Sequence, residues 1–66
     1  MNKSYIGQPV RLIKFSHRVP IEFANYFGAI GIVKGFRLIN YNFIASIVEF
    51  DAHTRIWLFE EEIKVL

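Results

Sequence analysis

Apolar and polar positions along the chain change over on a short period, and turn-forming residues interrupt them about every ten residues. After Gly7-Gln8-Pro9, the run Val10 to Phe15 alternates imperfectly: Val10, Leu12 and Lys14 share one phase, Arg11, Ile13 and Phe15 the other. That pattern predicts a first strand in a barrel, with both faces partly covered. Ser16 to Phe27 contains Pro20, which is disfavoured in a central strand. It reads as a long loop with one helical turn around Ile21 to Tyr26. Gly28 and Gly31 bracket the start of a second strand, Ile30 to Leu38, where a small barrel needs tight bends and close backbone approach. Asn40-Tyr41-Asn42 is the next turn, because Asn tolerates left-handed backbone geometry. Phe43 to Phe50 is the third strand, Asp51-Ala52-His53-Thr54 a hairpin loop, and Arg55 to Phe59 the fourth strand. The triplet Glu60-Glu61-Glu62 suits a short helical turn before a last strand, Ile63 to Leu66. Short strands spaced in this way favour a barrel or sandwich over any helical fold. The expected architecture is all-β: a single domain over residues 1–66, forming a five-stranded SH3-like barrel with one short helical turn before its last strand.

The alternation also predicts a register for the third and fourth strands. With Phe50 opposite Ile56 and Val48 opposite Leu58, those four side chains face the core, and Glu49 and Trp57 lie outside.

Composition changes the picture in one respect. Hydrophobic residues make up 53% of the 66 positions and aromatics 17%, including 7 Phe, 3 Tyr and 1 Trp. A five-stranded barrel fills its centre with only roughly a dozen inward side chains. Much of the apolar inventory is therefore left over, and surplus apolar surface marks a partner site. No apolar run approaches the roughly 18–20 residues of a membrane span; Ile21 to Val33 is broken by Glu22 and Asn25. Met1 to Tyr5 lacks the apolar core of a signal peptide. The expectation is a soluble chain that does not span a membrane.

Loop aromatics are the natural contact residues, since loops run on the surface and aromatics dominate interface hot spots. These are Phe23, Tyr26 and Phe27 from the long loop and Phe36 and Tyr41 from the second hairpin, joined by Trp57 on the outer face. The alternative is that Phe23 and Phe27 fold back as a lid on an open barrel end, Phe27 more readily than Tyr26. Lys34 and Arg37 are expected near the binding edge. Glu60 and Glu61 are expected to stay solvated, and Glu62 to cap or orient its turn.

Candidate chemistry is sparse. With no cysteine, thiolate metal sites and thiol catalysis are excluded. His17 and His53 have no second ligand at metal-binding spacing. Ser16 beside His17 is adjacency, not a triad. Glu22, Glu49 and Asp51 form no evident shielded pair, and no glycine-rich phosphate loop precedes a helix. The expectation is a protein that is not an enzyme, with no cofactor, no metal and no small-molecule substrate. Net charge is +2. Lys14, Arg18, Lys34 and Arg37 with Phe36 or Tyr41 make an RNA-binding stripe conceivable, but phosphate contacts need more uncompensated cations. Nucleic acid is therefore not expected as a partner.

Three segments carry a resemblance: Gly7-Gln8-Pro9-Val10-Arg11-Leu12 with Arg18-Val19; Gly31-Ile32-Val33-Lys34-Gly35-Phe36-Arg37; and Val48-Glu49-Phe50 followed by Trp57-Leu58-Phe59-Glu60-Glu61-Glu62-Ile63. Together they resemble the PetP family, small regulatory subunits of the cytochrome b6f complex in cyanobacteria and red-algal plastids. Two other SH3-like photosynthetic proteins share part of this pattern, the PsaE subunit of photosystem I and the variable chain of ferredoxin–thioredoxin reductase. The Gly-Phe-Arg step and the Trp-led aromatic run favour the first family. Abundant Ile, Asn, Lys, Phe and Tyr, all encoded by A/T-rich codons, suit a plastid or other AT-rich genome. The sequence departs from the family's pattern at Leu58, at Asn40-Tyr41-Asn42 and in the aromatic loop Ile21 to Phe27. The resemblance implies a peripheral subunit on the stromal or cytoplasmic face of the thylakoid membrane. Membrane-integral subunits of the cytochrome b6f complex would hold it, and it would carry no haem while tuning electron flow.

Overall fold

A computed structural model describes residues 5–16 and 21–66. Arg18 and His17, singled out above, lie outside the described residues. Five strands form one antiparallel sheet: β1 (Pro9–Leu12), β2 (Ile30–Ile39), β3 (Phe43–Asp51), β4 (Thr54–Phe59) and β5 (Ile63–Val65), in the order β4-β3-β2-β1-β5. One 3₁₀ turn, Ile21–Tyr26, lies between β1 and β2, and a second, Glu60–Glu62, joins β4 to β5. Both fall where the sequence placed helical turns. The fold is all-β as expected, but the barrel is not closed: β4 and β5 remain the two edges of the sheet, with no ladder between them among the described residues.

Alternation builds the core. Val10 and Leu12 of β1, Val33 of β2, Val48 of β3, Ile56 and Leu58 of β4 and Ile63 of β5 form one buried cluster. Phe15, Phe23, Tyr26, Phe50 and Val65 pack against it. β1 ends at Leu12, three residues short of the expected Phe15, because its neighbours run out. β2 begins opposite Arg11 at Ile30, and β5 begins opposite Leu12 at Ile63.

Gly31 is the one position where the sheet requires a missing side chain. A Cβ there would lie 2.5 Å from Val48 Cγ1 and 2.9 Å from the carbonyl oxygen of Glu49.

The β3–β4 register differs from the expected one by two residues. Val48 pairs with Ile56 and Ser46 with Leu58, while Phe50 sits at an irregularity between Glu49 and Asp51. The turn is tighter than the sequence suggested. Asp51 pairs directly with Thr54, and the His53 N–H donates to Asp51 Oδ1 at 3.0 Å. An even slip preserves the faces. Val48, Ile56 and Leu58 are accordingly buried, Phe50 packs on the core, and Trp57 lies outside at 53% exposure.

Candidate docking surface

Strand lengths decide where apolar surface stays uncovered. β2 and β3 run for 10 and 9 residues, but β1 and β5 for only 4 and 3. β1 pairs with Ile30 to Ile32 alone, so the distal half of the β2–β3 hairpin overhangs the body. Phe36 opposite Ser46 and Leu38 opposite Ile44 continue the core-facing phase beyond the last core row. With no strand above them among the described residues, Leu38 and Ile44 are 63% and 61% exposed, and Phe36 is also exposed.

The hairpin tip is built to hold a ring in water. Asn40 and Tyr41 both adopt left-handed backbone, with φ of 50° and 64°, and the Asn42 N–H donates to the Asn40 carbonyl at 2.6 Å. That conformation is ordinary for Asn but costly for a bulky residue such as Tyr41. Tyr41 is 93% exposed, so no packing within the chain offsets the cost.

The outer phase carries the second part of the surface. Ile47 pairs with Trp57, and Ala45 pairs with Arg37 on one side and Phe59 on the other. The Arg37 guanidinium lies 5.2 Å from the centre of the Trp57 ring, a cation–π stack that joins the two expected contact residues into one unit. Phe43 meets Phe59 edge-on, with ring centroids 6.1 Å apart. Lys34 sits at the irregularity of β2 and contacts Glu49 at 3.7 Å, and Arg55 donates to the same carboxylate at 3.1 Å. Lys34 therefore shares one half-buried carboxylate with another cation.

Of the loop aromatics, Phe23 and Tyr26 turn inward. Tyr26 packs on Phe50 with centroids 5.1 Å apart, and its hydroxyl reaches Asp51 Oδ2 at 2.8 Å and Thr54 Oγ1 at 3.1 Å. Phe27 stays 61% exposed, 6.3 Å from Phe15. Phe23 thus folds back as the lid alternative had it, but the order of the other two is reversed: Tyr26, whose hydroxyl bonds the β3–β4 turn, joins the lid and Phe27 is left out. The Asp51 carboxyl is held below its usual value first by the His53 N–H, then by the Tyr26 and Thr54 hydroxyls.

Glu62 takes the expected capping role and extends it. It is buried, and its carboxylate accepts the Phe59 N–H through Oε1 and the Ser16 N–H through Oε2, each at 2.7 Å. One carboxylate thereby anchors both the turn and the exit of β1. Glu60 and Glu61 are exposed.

Sequence reasoning missed Leu38, Phe43 and Ile44. For Leu38 and Ile44 the reason is a strand-length mismatch that only the structure reveals: β1 has four residues, not the six expected, and leaves part of the long hairpin's inner face bare.

The fold and surface together define a class, a small SH3-like sheet domain whose longest hairpin presents apolar side chains that its own core does not cover. Comparison with known proteins narrows this. The family described as "Cytochrome b6f, subunit Tsr0524-like" matches residues 6–64. A protein of Porphyra purpurea, ORF65, is 40% identical over 58 residues, covering 88% of this chain and 89% of that protein. The solution structure of PetP, a subunit of the cyanobacterial cytochrome b6f complex, superposes with a TM-score of 0.82 at 31% identity. That match covers 94% of this chain and 78% of the other. The chain belongs to the Tsr0524-like family of cytochrome b6f subunits.

Proposed function

We propose that this chain is a non-catalytic, peripheral subunit that docks on the stromal or cytoplasmic face of the cytochrome b6f complex. In this role membrane-integral subunits hold it, and it tunes photosynthetic electron flow. Family membership supports the complex as the partner. None of the helices among the described residues is long and apolar enough to cross a membrane, which fits attachment through another chain. The observation that carries the docking surface is the overhanging hairpin. Leu38, Tyr41, Phe43 and Ile44 are all more than half exposed on one projecting element, with Phe36 at its base and the Arg37–Trp57 stack beside it. Apolar side chains clustered on a rigid strand pair lose little conformational freedom on binding, which is the condition for a hot spot.

The test is co-purification of the cytochrome b6f complex with the tagged chain from solubilised thylakoids, comparing wild type with Leu38→Ser and Tyr41→Ala. Retention of the wild type, and binding weakened by more than about 1 kcal/mol in each variant, is the expected result. Equal retention of both variants moves the docking surface elsewhere. Absence of the complex from the wild-type eluate removes the docking role itself.

A further inference from the structure

Beside the tip of the overhanging hairpin lie two adjoining hollows that share Phe43, Phe59 and Glu61. Their volumes are about 540 and 240 Å³, so the larger falls within the roughly 300–1,000 Å³ of ordinary ligand clefts. The edge-on Phe43–Phe59 pair forms a common floor. Ile44 and Ile63 extend it on one side and Ile39 on the other. Ile44 is the residue through which this floor meets the apolar overhang described above.

The rim is acidic. Glu60 and Glu61 both line the larger hollow. Glu60 has no ion-pair partner among the described residues. Among the described residues Glu61 meets only Lys14, at 3.9 Å, between side chains that are each more than half exposed; such a contact is worth little in water. The other described cations are directed elsewhere. Lys34 and Arg55 converge on Glu49, and Arg37 lies over Trp57. Arg11 and Lys64 stand opposite one another across β1 and β5, and neither comes within ion-pair distance of the rim. Glu62 does not belong to the rim, because both of its oxygens already accept backbone N–H groups.

We infer that these hollows seat a segment of a partner chain in which Lys or Arg alternates with aliphatic or aromatic residues. Its apolar side chains lie on the Phe43–Phe59 floor and its cations meet Glu60 and Glu61. The charge on the rim selects against an acidic segment, and hollows that lie partly open to solvent suit a chain segment better than a small molecule, which ligand clefts bury almost wholly. The inference rests on the docking role proposed above and gives it a chemistry. Loops of membrane-integral proteins on the stromal or cytoplasmic side carry an excess of Lys and Arg close to their apolar spans. A juxtamembrane loop of that kind supplies both features the hollows require.

Synthetic peptides covering each extramembrane segment of the cytochrome b6f subunits, titrated into the isotopically labelled full-length chain, provide the test. A Lys/Arg-rich segment beside an apolar stretch is expected to shift the amide signals of Phe43, Phe59 and Glu60. Its affinity should fall roughly tenfold or more in Glu60→Lys/Glu61→Lys, the direction set by turning two attractions into repulsions. The milder Glu60→Gln/Glu61→Gln pair should give a smaller loss, and wild-type binding should weaken between roughly 50 and 300 mM salt. Both doublets change exposed side chains, so an unchanged melting temperature accompanies the expected result. Preference for an acidic peptide, shifts confined to other surfaces, or equal affinity of the charge-reversed variant overturns the inference. If the wild-type chain retains the complex while no basic peptide binds, the hollows are not the seat and the docking role stands. If the chain does not retain the complex at all, the docking role falls first.

Discussion

Tyr26 and Tyr41 occupy opposite ends of the same sheet and meet opposite fates. At the lid end, Tyr26 lies over Phe50 and its hydroxyl is satisfied by Asp51 and Thr54. Phe23 packs beside it on the core. At the hairpin end, Tyr41 stands 93% exposed on left-handed backbone, and the strands beneath it carry Leu38 and Ile44 with their core-facing sides in water. Apolar content does not separate the two regions. What separates them is whether another element of the chain reaches across: the 3₁₀ turn Ile21–Tyr26 closes one end, and β1 begins only at Pro9, opposite Ile32, too late to cover the other. An end closed by its own chain contributes to stability, and an end left open is available to a partner.

The sharpest way to break this contrast is to remove a side chain the closed region depends on. Leu58→Ala should cost about 2–5 kcal/mol, read as loss of cooperative denaturant unfolding or a large fall in its midpoint. A mild effect would mean that the seven-residue cluster is not the stabilising core. Glu62→Gln comes next. It removes the charge from two 2.7 Å bonds that hold the Phe59 and Ser16 amides, and the expected loss is about 1.5–3 kcal/mol. Amide exchange should accelerate first at those two positions.

Tyr26→Phe tests the lid more gently. Only the hydroxyl bonds to Asp51 and Thr54 disappear, so the cost should be about 1 kcal/mol. The same variant should lessen the acid sensitivity of the fold. Asp51's carboxyl is depressed in the folded state. Its contribution is therefore fully present above the ordinary carboxylate range near about 4, and it is lost as pH falls through the lower folded value. A pH series of unfolding midpoints on wild type, Tyr26→Phe and Asp51→Asn checks this. Both variants should flatten the acid limb, and an unchanged limb would detach Asp51 from the lid.

The smallest expected effect on stability belongs to the open end. Leu38→Ser and Ile44→Thr should change it by no more than about 0.5 kcal/mol, while leaving the isolated chain less able to hold its partner. A large loss of stability from either would show that the overhang packs in the free protein after all.

Much of this arrangement was legible beforehand. Five strands, two helical turns, the faces of Val48, Glu49, Ile56, Trp57 and Leu58, and the capping role of Glu62 all follow from alternation and turn chemistry, which act over neighbouring residues. The β3–β4 pairing was misjudged by two because the turn length depends on how Asp51 bonds across Ala52 and His53. Alternation cannot report that, since an even slip leaves every face unchanged. The open barrel also escaped the sequence, because closure depends on how far apart two non-adjacent edges finish.

Local sequence therefore determined which residues could be strand, turn and core, through side-chain period and backbone preference. Tertiary structure alone decided which apolar residues were used up. Phe23, Tyr26 and Phe27 lie within five residues of one another and are chemically similar, yet Phe23 and Tyr26 pack inward while Phe27 stays out. Leu38 and Ile44 share the phase of buried Val48 and remain in water. Burial of such residues requires an opposing surface, and that surface is set by where strands distant in sequence begin and end.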